Sequence, residues 1–322
     1  MKILISGVAG FIGFHVCQNL IQKGNQVIGI DNLNDYYDIN LKKKRLSILR
    51  KLSSFDFYQI DINNYENCGN LFKSIKFDKV VHFAAQPGVQ NSILNPEIYM
   101  QNNILGFFNI LNLSTLHGIQ HFIYASSSSV YGSNESFPFT ESDKCASPLS
   151  LYAASKLSNE AIAYSYSNIH KIKTTGLRFF TVYGPYGRPD MSPFIFADAI
   201  INEKIIKLYN FGKLKRDFTY IDDAVKAVEL IVTDKKKFQS DLVSKIYNIG
   251  GNGPIELSIF IKLFEKYLKK KAILKLEPLL RGDVVETYAN IEMIKQDYGF
   301  QPGVSIEKGV RKFIDWYKRY NI

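Results

Sequence analysis

Cysteine is scarce in this chain of 322 residues, and long apolar runs are absent from it. The three cysteines, Cys17, Cys68 and Cys145, are widely spaced and odd in number, so they indicate neither a disulfide framework nor a metal site. No uninterrupted apolar run reaches the roughly 18 residues that a membrane-spanning helix needs, and the amino terminus lacks the layout of a signal peptide. We therefore expect a cytoplasmic protein with no metal centre and no membrane partner.

Arginine is also scarce, because only eight of the 40 cationic residues are Arg. The net charge of +10 alone would fit a nucleic-acid partner, but the lysines are scattered in short runs that are typical of a solvated surface. We therefore expect no nucleic-acid site. Arg188, Arg216 and Arg281 each stand in a loop rich in Gly, Pro and Asp, where a planar guanidinium is suited to hold a carboxylate or a phosphate.

The pattern of apolar residues predicts a mixed α/β fold. Short apolar runs predict strands at 2–6, 26–30, 56–60, 79–83, 121–125 and 173–179, and helical patterns between them cover 11–23, 65–75, 96–117 and 152–170. Strands that alternate with helices favour a doubly wound parallel sheet of the Rossmann type. We assign this unit to residues 1–180 and a smaller α/β substrate-binding domain to 181–322, with a soft boundary and some interleaved elements.

A glycine-rich turn follows the first predicted strand and opens the first helix. It reads Gly7-Val8-Ala9-Gly10-Phe11-Ile12-Gly13, and such glycines allow the backbone of this segment to approach a pyrophosphate closely. Asp31, followed by Asn32, ends the next strand, where a carboxylate accepts both ribose hydroxyls and repels a 2′-phosphate. The pattern favours NAD over NADP, although Arg45 and the lysines near it leave NADP open. The alternative is a structural turn and a surface Asp.

Three further strand or helix positions are candidates for cofactor contact. Asp61 and Ile62 end the third strand, and Ala84 and Ala85 end the fourth, where small residues let a cofactor lie against the backbone. By itself, a pair of alanines at this position more often serves packing than function. Asn103 lies within the long helix and is either a polar contact to the site or a core Asn with its hydrogen bonds satisfied.

The strongest chemical signal is a tyrosine and a lysine four residues apart, Tyr152 and Lys156, because this spacing places both on one helix face. An ammonium beside a phenol is expected to lower the phenol's pKa, so that the phenolate serves as a general base. Ser127 lies in a run of serines at the end of a strand, where hydroxyls face the ligand crevice of an open sheet. Turn formation is the alternative role of these serines.

These residues together resemble the extended short-chain dehydrogenase/reductase superfamily, in its nucleotide-sugar epimerase and dehydratase branch. The resemblance runs nearly end to end and includes the glycine motif, the Ser127/Tyr152/Lys156 set and the segment Arg-Asp-Phe-Thr-Tyr-Ile-Asp-Asp at 216–223. It implies that Tyr152 is the catalytic base, that Lys156 is its electrostatic partner and a ribose ligand, and that Ser127 is the second hydroxyl donor. It also implies NAD as cofactor and sugar-diphosphate contacts from Arg216 and Arg281.

Local sequence narrows the branch. Dehydratases of the superfamily carry an Asp-Glu pair where this chain has Ser128 and Ser129, so no additional acid or base is available for elimination. The segments 31–38 and 178–191 look like those of UDP-glucuronate 4-epimerases, in which the equivalents of Thr181 and Arg188 hold the sugar carboxylate. We assign Ser128 to the same carboxylate. A loop-stabilising ion pair is the alternative role of Arg188.

The expected activity is therefore C4 epimerisation between UDP-glucuronic acid and UDP-galacturonic acid through a transient 4-keto sugar. The alternatives are an epimerase of neutral UDP-hexoses or N-acetylhexosamines, a UDP-glucuronate decarboxylase, or an NAD-binding scaffold without catalysis. The resemblance also implies a homodimer, formed as a four-helix bundle by helices at about 92–116 and 152–170.

Overall fold

This computed structural model describes residues 1–234 and 244–320. Most runs of consecutive buried apolar residues lie in its strands. In chain order the strands are β1 (Lys2–Ser6), β2 (Gln26–Asp31), β3 (Phe55–Gln59), β4 (Lys79–His82), β5 (His121–Ser127), β6 (Lys173–Phe179), β7 (Thr181–Tyr183), β8 (Ile205–Leu208), β9 (Lys215–Tyr220), β10 (Ser244–Ile249), β11 (Pro254–Glu256) and β12 (Ile273–Leu276).

The helices cover both faces of the central sheet. They are α1 (Phe11–Gln22), α2 (Ile39–Leu49), α3 (Tyr65–Ser74), α4 (Val89–Leu94), α5 (Pro96–Tyr99), α6 (Gly106–Leu116), α7 (Leu151–His170), α8 (Ser192–Ile201), α9 (Ile221–Thr233), α10 (Leu257–Leu268), α11 (Glu292–Tyr298) and α12 (Ile306–Tyr320). No helix within the two described ranges is both long enough and apolar enough to span a bilayer.

Seven strands form one sheet in the order β10-β6-β5-β4-β1-β2-β3, and every neighbouring pair is parallel. This confirms the predicted doubly wound α/β fold. Because β1 lies between β2 and β4, the chain reverses its direction of travel across the sheet at β1, and a crevice opens at the carboxyl ends of these strands. The fold thus places the ends of β1, β2, β4 and β5 around one crevice.

The long helix predicted at 96–117 has an interruption. A π-helical segment, Met100–Leu105, joins α5 to α6, so the chain stays helical but gains one residue in a turn. The other predicted helices match closely, and α7 begins where Ser150 caps it by accepting a hydrogen bond from the Ala153 amide. Periodicity did not predict α2, whose polar face is dominated by lysines.

The chain beyond residue 180 builds smaller sheets and also returns to the large one. Strands β7, β9 and β11 form a three-stranded sheet, and β8 pairs with β12. Strand β10 pairs with β6 in parallel at the edge of the seven-stranded sheet. The two halves predicted at 1–180 and 181–322 are therefore interleaved through β10, and one large apolar cluster includes residues of both.

Candidate active site

The crevice is a cavity of about 380 Å³. Its wall combines the glycine-rich turn, the ends of β2, β4 and β5, the first turns of α7, and the chain at 179–191. Most of the predicted site residues line it: Gly7, Gly10, Phe11, Ile12, Gly13, Asp31, Asn32, Ile62, Ala84, Ala85, Ser127, Ser128, Tyr152, Lys156, Thr181 and Arg188. Nowhere in the described residues do three or more His, Cys, Asp or Glu side chains form a group able to hold a metal ion.

Gly7 and Gly13 of the glycine-rich turn have no space for a side chain. Gly7 has φ +72° and donates its amide to the Ile30 carbonyl at 2.8 Å, and a Cβ on it would lie 2.6 Å from the Ala84 nitrogen. A Cβ on Gly13 would collide with the Gly7 carbonyl oxygen. Helix α1 starts beyond this turn with no side-chain cap, so the first amides of the helix remain available to an anion. The turn fits a pyrophosphate.

The Asp31 carboxylate lies beside the same turn. It accepts hydrogen bonds from the Ala9 amide at 3.0 Å and from the Leu33 amide at 2.9 Å, and burial raises its pKa. Arg45, which left NADP open, is fully buried and donates to the Ala9 carbonyl, the Tyr37 hydroxyl and two carbonyls of the loop at 186–187. Because its guanidinium is occupied by these partners, Arg45 offers no fork for a 2′-phosphate.

Two of the predicted cofactor ligands lie outside the cavity wall. Asp61 accepts from the Asn63 amide at 2.8 Å and from the Asn32 side-chain amide at 2.9 Å. Asn103 is 1% exposed and pairs with both backbone groups of Gln86, accepting from the amide at 2.7 Å and donating to the carbonyl at 3.0 Å. In this structure Asn103 is therefore a satisfied core Asn, which shapes the cavity by holding the Gln86 backbone.

Tyr152 and Lys156 both face the cavity from α7, as their spacing predicts, and Ser127 faces it from the end of β5. The expected lowering of the Tyr152 pKa is not found in this structure. Burial raises the pKa of the Tyr152 phenol, while the Ser127 hydroxyl and the Arg188 charge oppose the rise. The Lys156 ammonium donates instead to the Ala125 carbonyl at 2.9 Å, and burial lowers its pKa to about 8 against the opposing charge of Glu160.

Arg188 forms the loop ion pair that was the alternative role for it, and it also lines the cavity. Its Nε and Nη2 atoms donate to the two carboxylate oxygens of Asp190 at 3.0 and 2.7 Å, which is a loop ion pair. The Tyr36 hydroxyl donates to the same carboxylate at 3.1 Å. Within the described residues Nη1 has no hydrogen-bond partner, so this end of the guanidinium remains available to a second carboxylate, and Arg188 lines the cavity together with Thr181 and Ser128.

The two other candidate anion ligands are outside the cavity wall. Arg216 donates to Asp283 at 2.7 Å and to the carbonyls of Lys215 and Val285. Arg281 is exposed, and its carbonyl accepts from the Gln90 side chain at 2.9 Å. The guanidinium groups of Arg216 and Arg281 do not contact each other in this structure.

Two tyrosines of the site were not predicted. Tyr36 lines the cavity, and the ring of Tyr99 packs edge-on against that of Tyr152 with a centroid separation of 6.2 Å. The Tyr99 hydroxyl is bonded to the carbonyls of Pro87 and Gly88. Tyr36 lay inside a segment that the resemblance singled out, whereas nothing local in the sequence distinguishes Tyr99 from a core aromatic.

Residues 3–250 match the model of a family described as the NAD dependent epimerase/dehydratase family. The chain belongs to this family. Among the family's members, Protein CapI of Staphylococcus aureus is 47% identical over 332 aligned positions, covering 99% of each chain. A probable UDP-glucuronate 4-epimerase of Rhizobium meliloti is 40% identical, covering 98% of this chain and 97% of that protein.

A solved structure of a family member shares the whole fold. The UDP-glucuronic acid 4-epimerase of Bacillus cereus, crystallised with UDP-glucuronic acid and NAD, superposes with a TM-score of 0.93 at 33% identity. The match covers 99% of this chain and 100% of that one. The interleaving of β10 with the first half of the chain is thus part of an architecture that a crystallised epimerase shares.

Proposed function

We propose that this protein interconverts UDP-glucuronic acid and UDP-galacturonic acid by inverting C4 of the sugar, with NAD as its cofactor. The observation that carries the proposal is a guanidinium edge, on Arg188, facing the same cavity as Tyr152, Lys156 and Ser127. A neutral sugar offers no charged acceptor to the edge of this guanidinium that Asp190 leaves unpaired. The relatives named UDP-glucuronate 4-epimerase, one of them crystallised with UDP-glucuronic acid and NAD, support the same substrate.

The glycine-rich turn is suited to hold NAD. The amides at the start of α1 take the pyrophosphate, and Asp31 takes the adenosine ribose, since its carboxylate lies next to the turn. Ile62 and the Ala84–Ala85 pair supply flat apolar contacts. When bound, NAD supplies reversible hydride acceptance at C4 of the sugar, so no net oxidation accompanies turnover.

Tyr152 takes the proton from the 4-hydroxyl and returns it to the oxygen of the inverted product. Ser127 lowers the pKa of this phenol, and its oxygen accepts from the Ser129 amide at 3.2 Å, which leaves the hydroxyl proton for Tyr152. Arg188 lowers the same pKa through its charge. Lys156 is anchored on the Ala125 carbonyl and lines the cavity, where a ribose hydroxyl is the expected acceptor for its remaining protons.

The carboxylate needs a clamp for a chemical reason. Oxidation at C4 makes the sugar a β-keto acid, which loses carbon dioxide when the bond to the carboxylate aligns with the carbonyl π-system. Arg188, Thr181 and Ser128 line the same cavity, and their donors would hold the carboxylate out of that alignment. Arg216 and Arg281, both in the substrate-binding half at 181–322, are the proposed ligands of the substrate diphosphate. To bind it, Arg216 would release Asp283.

A homodimer is the assembly that the surface supports. Large apolar side chains on the helices at 92–116 and 152–170 are exposed, among them Leu94 at 77%, Leu116 at 68% and Ile169 at 67%. The number of large apolar side chains exposed on these helices supports an interface there. Sedimentation velocity should give twice the chain mass of 36.8 kDa, and Leu105→Glu should halve it, whereas Ile205→Glu on the distant β8 should not. A monomeric wild type would contradict the interface. We also propose that the protein acts in the cytoplasm, because its three free cysteines fit a reducing compartment.

The deciding experiment is NMR of the purified protein with UDP-glucuronic acid and no added reductant, with Tyr152→Phe as the inactive control. UDP-galacturonic acid without pentose supports the proposal. UDP-xylose or a 4-keto pentose would reassign the protein to decarboxylation and would contradict the argument from Ser129, which stands where uronate decarboxylases of this branch carry a Glu. Turnover of UDP-glucose or its N-acetyl analogue, without turnover of UDP-glucuronic acid, would overturn Arg188 as a carboxylate ligand.

A further inference from the structure

A buried ion pair lies next to the catalytic cavity and has no part in the chemistry described above. Glu160 of α7 accepts from Arg178 of β6 through both carboxylate oxygens, at 2.9 Å from Nε and 2.8 Å from Nη2. The side chains are 5% and 4% exposed. Replacing such a pair by apolar residues is often neutral for stability, so its presence calls for a reason other than folding.

The pair is tied to the residues that carry the catalytic groups. The Ser126 hydroxyl donates to Glu160 Oε1 at 2.5 Å, and the Lys156 ammonium donates to the Ala125 carbonyl at 2.9 Å. Two successive residues of β5 thus contact two residues of α7 that are one helical turn apart. The next residue of β5 is Ser127. Glu160 is therefore the second of two tethers that set the distance between Ser127 and the Tyr152/Lys156 face of α7.

Arg178 holds Glu160 in this position from the neighbouring strand. Ser126 and Arg178 are register partners in the β5–β6 pair, so both tethers of the carboxylate come from adjacent backbone positions. The guanidinium also lies over the Tyr131 ring, 4.7 Å from its centroid, and the Tyr131 hydroxyl donates to Asn248 of β10 at 2.6 Å. The arrangement spans three strands and one helix.

Charge is the second effect of the pair. Lys156 is 3% exposed, and a buried ammonium keeps its proton only if a negative charge is near. Glu160 is the carboxylate that raises the pKa of Lys156 against burial. The other titratable groups nearby are uncharged near neutral pH: His82 of β4 faces Lys156, and Tyr124 of β5 and Cys145 face Glu160, with pKa values that burial displaces towards the neutral forms.

We propose that Glu160 and Arg178 are positioning residues of this active site: together they hold α7 against the end of β5, and the Glu160 carboxylate, held in place by Arg178, is the negative charge that faces the Lys156 ammonium. The proposal rests on the proposed function for its kinetic consequence only. The titration of Lys156 is a property of the protein without substrate.

The double variant Glu160→Gln/Arg178→Met tests the charge, because it removes both ions together and leaves no buried charge without its partner. Lysine labelled with ¹³C at Cε reports each ammonium by NMR, and Lys156→Met assigns the Lys156 signal by its loss. We expect the midpoint of Lys156 to fall by about one pH unit in the double variant. Asp223→Asn is the matched control, since it alters a buried carboxylate on α9 that accepts from the Gly303 and Val304 amides. A midpoint that stays at the wild-type value in the double variant overturns the charge role.

Glu160→Asp tests the tether and keeps the charge. It withdraws the carboxylate from Ser126 by about one carbon–carbon bond, so we expect kcat to fall about ten- to a hundredfold with little change in KM. Unchanged kcat overturns the positioning role. If the wild type does not convert UDP-glucuronic acid, the proposed function fails, whereas the Lys156 titration still decides whether Glu160 controls that charge.

Discussion

Replacing Arg188 by methionine removes the outer guanidinium edge while keeping the length and apolar stem of the side chain. In the structure the inner edge is committed to Asp190 at 3.0 and 2.7 Å, so the loss to substrate is that of the Nη1 side alone. A hydrogen bond between charged groups contributes about 1.5–3 kcal/mol. We therefore expect KM for UDP-glucuronic acid to rise about ten- to a hundredfold.

The same substitution should alter the pH profile. Arg188 lowers the pKa of Tyr152, so its removal lets that pKa rise, and the rising limb of kcat should move to higher pH. Arg188→Lys is the matched control, because it keeps the charge near Tyr152 and loses the fork. It should restore the pH profile while leaving KM raised.

The assay is NMR of the reaction mixture across a range of substrate concentrations and pH values, with pentose signals recorded as well. A loosened carboxylate reaches the geometry for loss of carbon dioxide, so Arg188→Met should also form pentose. Wild-type KM for UDP-glucuronic acid in Arg188→Met would refute the carboxylate clamp. A wild-type pH profile would refute the coupling to Tyr152.

Three other substitutions test separate parts of the site. Gly7→Ala should abolish NAD binding in calorimetry, because its Cβ would lie 2.6 Å from the Ala84 nitrogen. Gly24→Ala is the control: Gly24 has φ +80° and no atom within 4 Å of an added Cβ, so this variant should lose about 1–2 kcal/mol of stability and still bind NAD. Equal NAD affinities in the two variants would contradict the steric argument. Lys156→Met should be more stable than wild type at pH 7 by up to about 3 kcal/mol in urea unfolding, since burial lowers the Lys156 pKa from 10.5 to about 8. The native state releases this proton before the unfolded state does, so wild-type stability should recover between pH 8 and 10.5, and a difference that is constant over that window would show that burial is not the cause. Asp190→Asn should weaken the hold on Arg188 and raise KM about tenfold with kcat nearly unchanged; a lower KM would mean that Asp190 competes with the substrate.

Local patterns were sufficient for the glycine-rich turn and for α7. Gly7, Gly13 and Asp31 are linked by one strand–helix–strand unit, so their proximity follows from connectivity that the sequence displays. Tyr152 and Lys156 share a helix face because their spacing is four. In each case the interacting groups are close in sequence or joined by regular elements.

Contacts between distant segments could not be predicted in the same way. The pairing of Asn103 with the Gln86 backbone depends on a π-helical segment, which no residue pattern announces. The contact of Lys156 with the Ala125 carbonyl, in place of the phenol, depends on the depth at which α7 packs on β5. Arg216 finds Asp283 across 67 residues of chain. These outcomes are set by the order of strands and the packing of side chains, both of which are properties of the whole fold.

Arg45 limits how substrate preference can change in this family architecture. One guanidinium holds the Ala9 carbonyl of the cofactor turn together with the carbonyls of Tyr186 and Gly187, immediately before Arg188. The side chains of that loop are free to vary, but its backbone is bound by the same arginine that holds the cofactor turn. A lineage that adopts a new sugar is therefore expected to exchange Arg188 or Thr181 by point substitution, whereas insertions or deletions between 184 and 188 would disturb the dinucleotide turn as well.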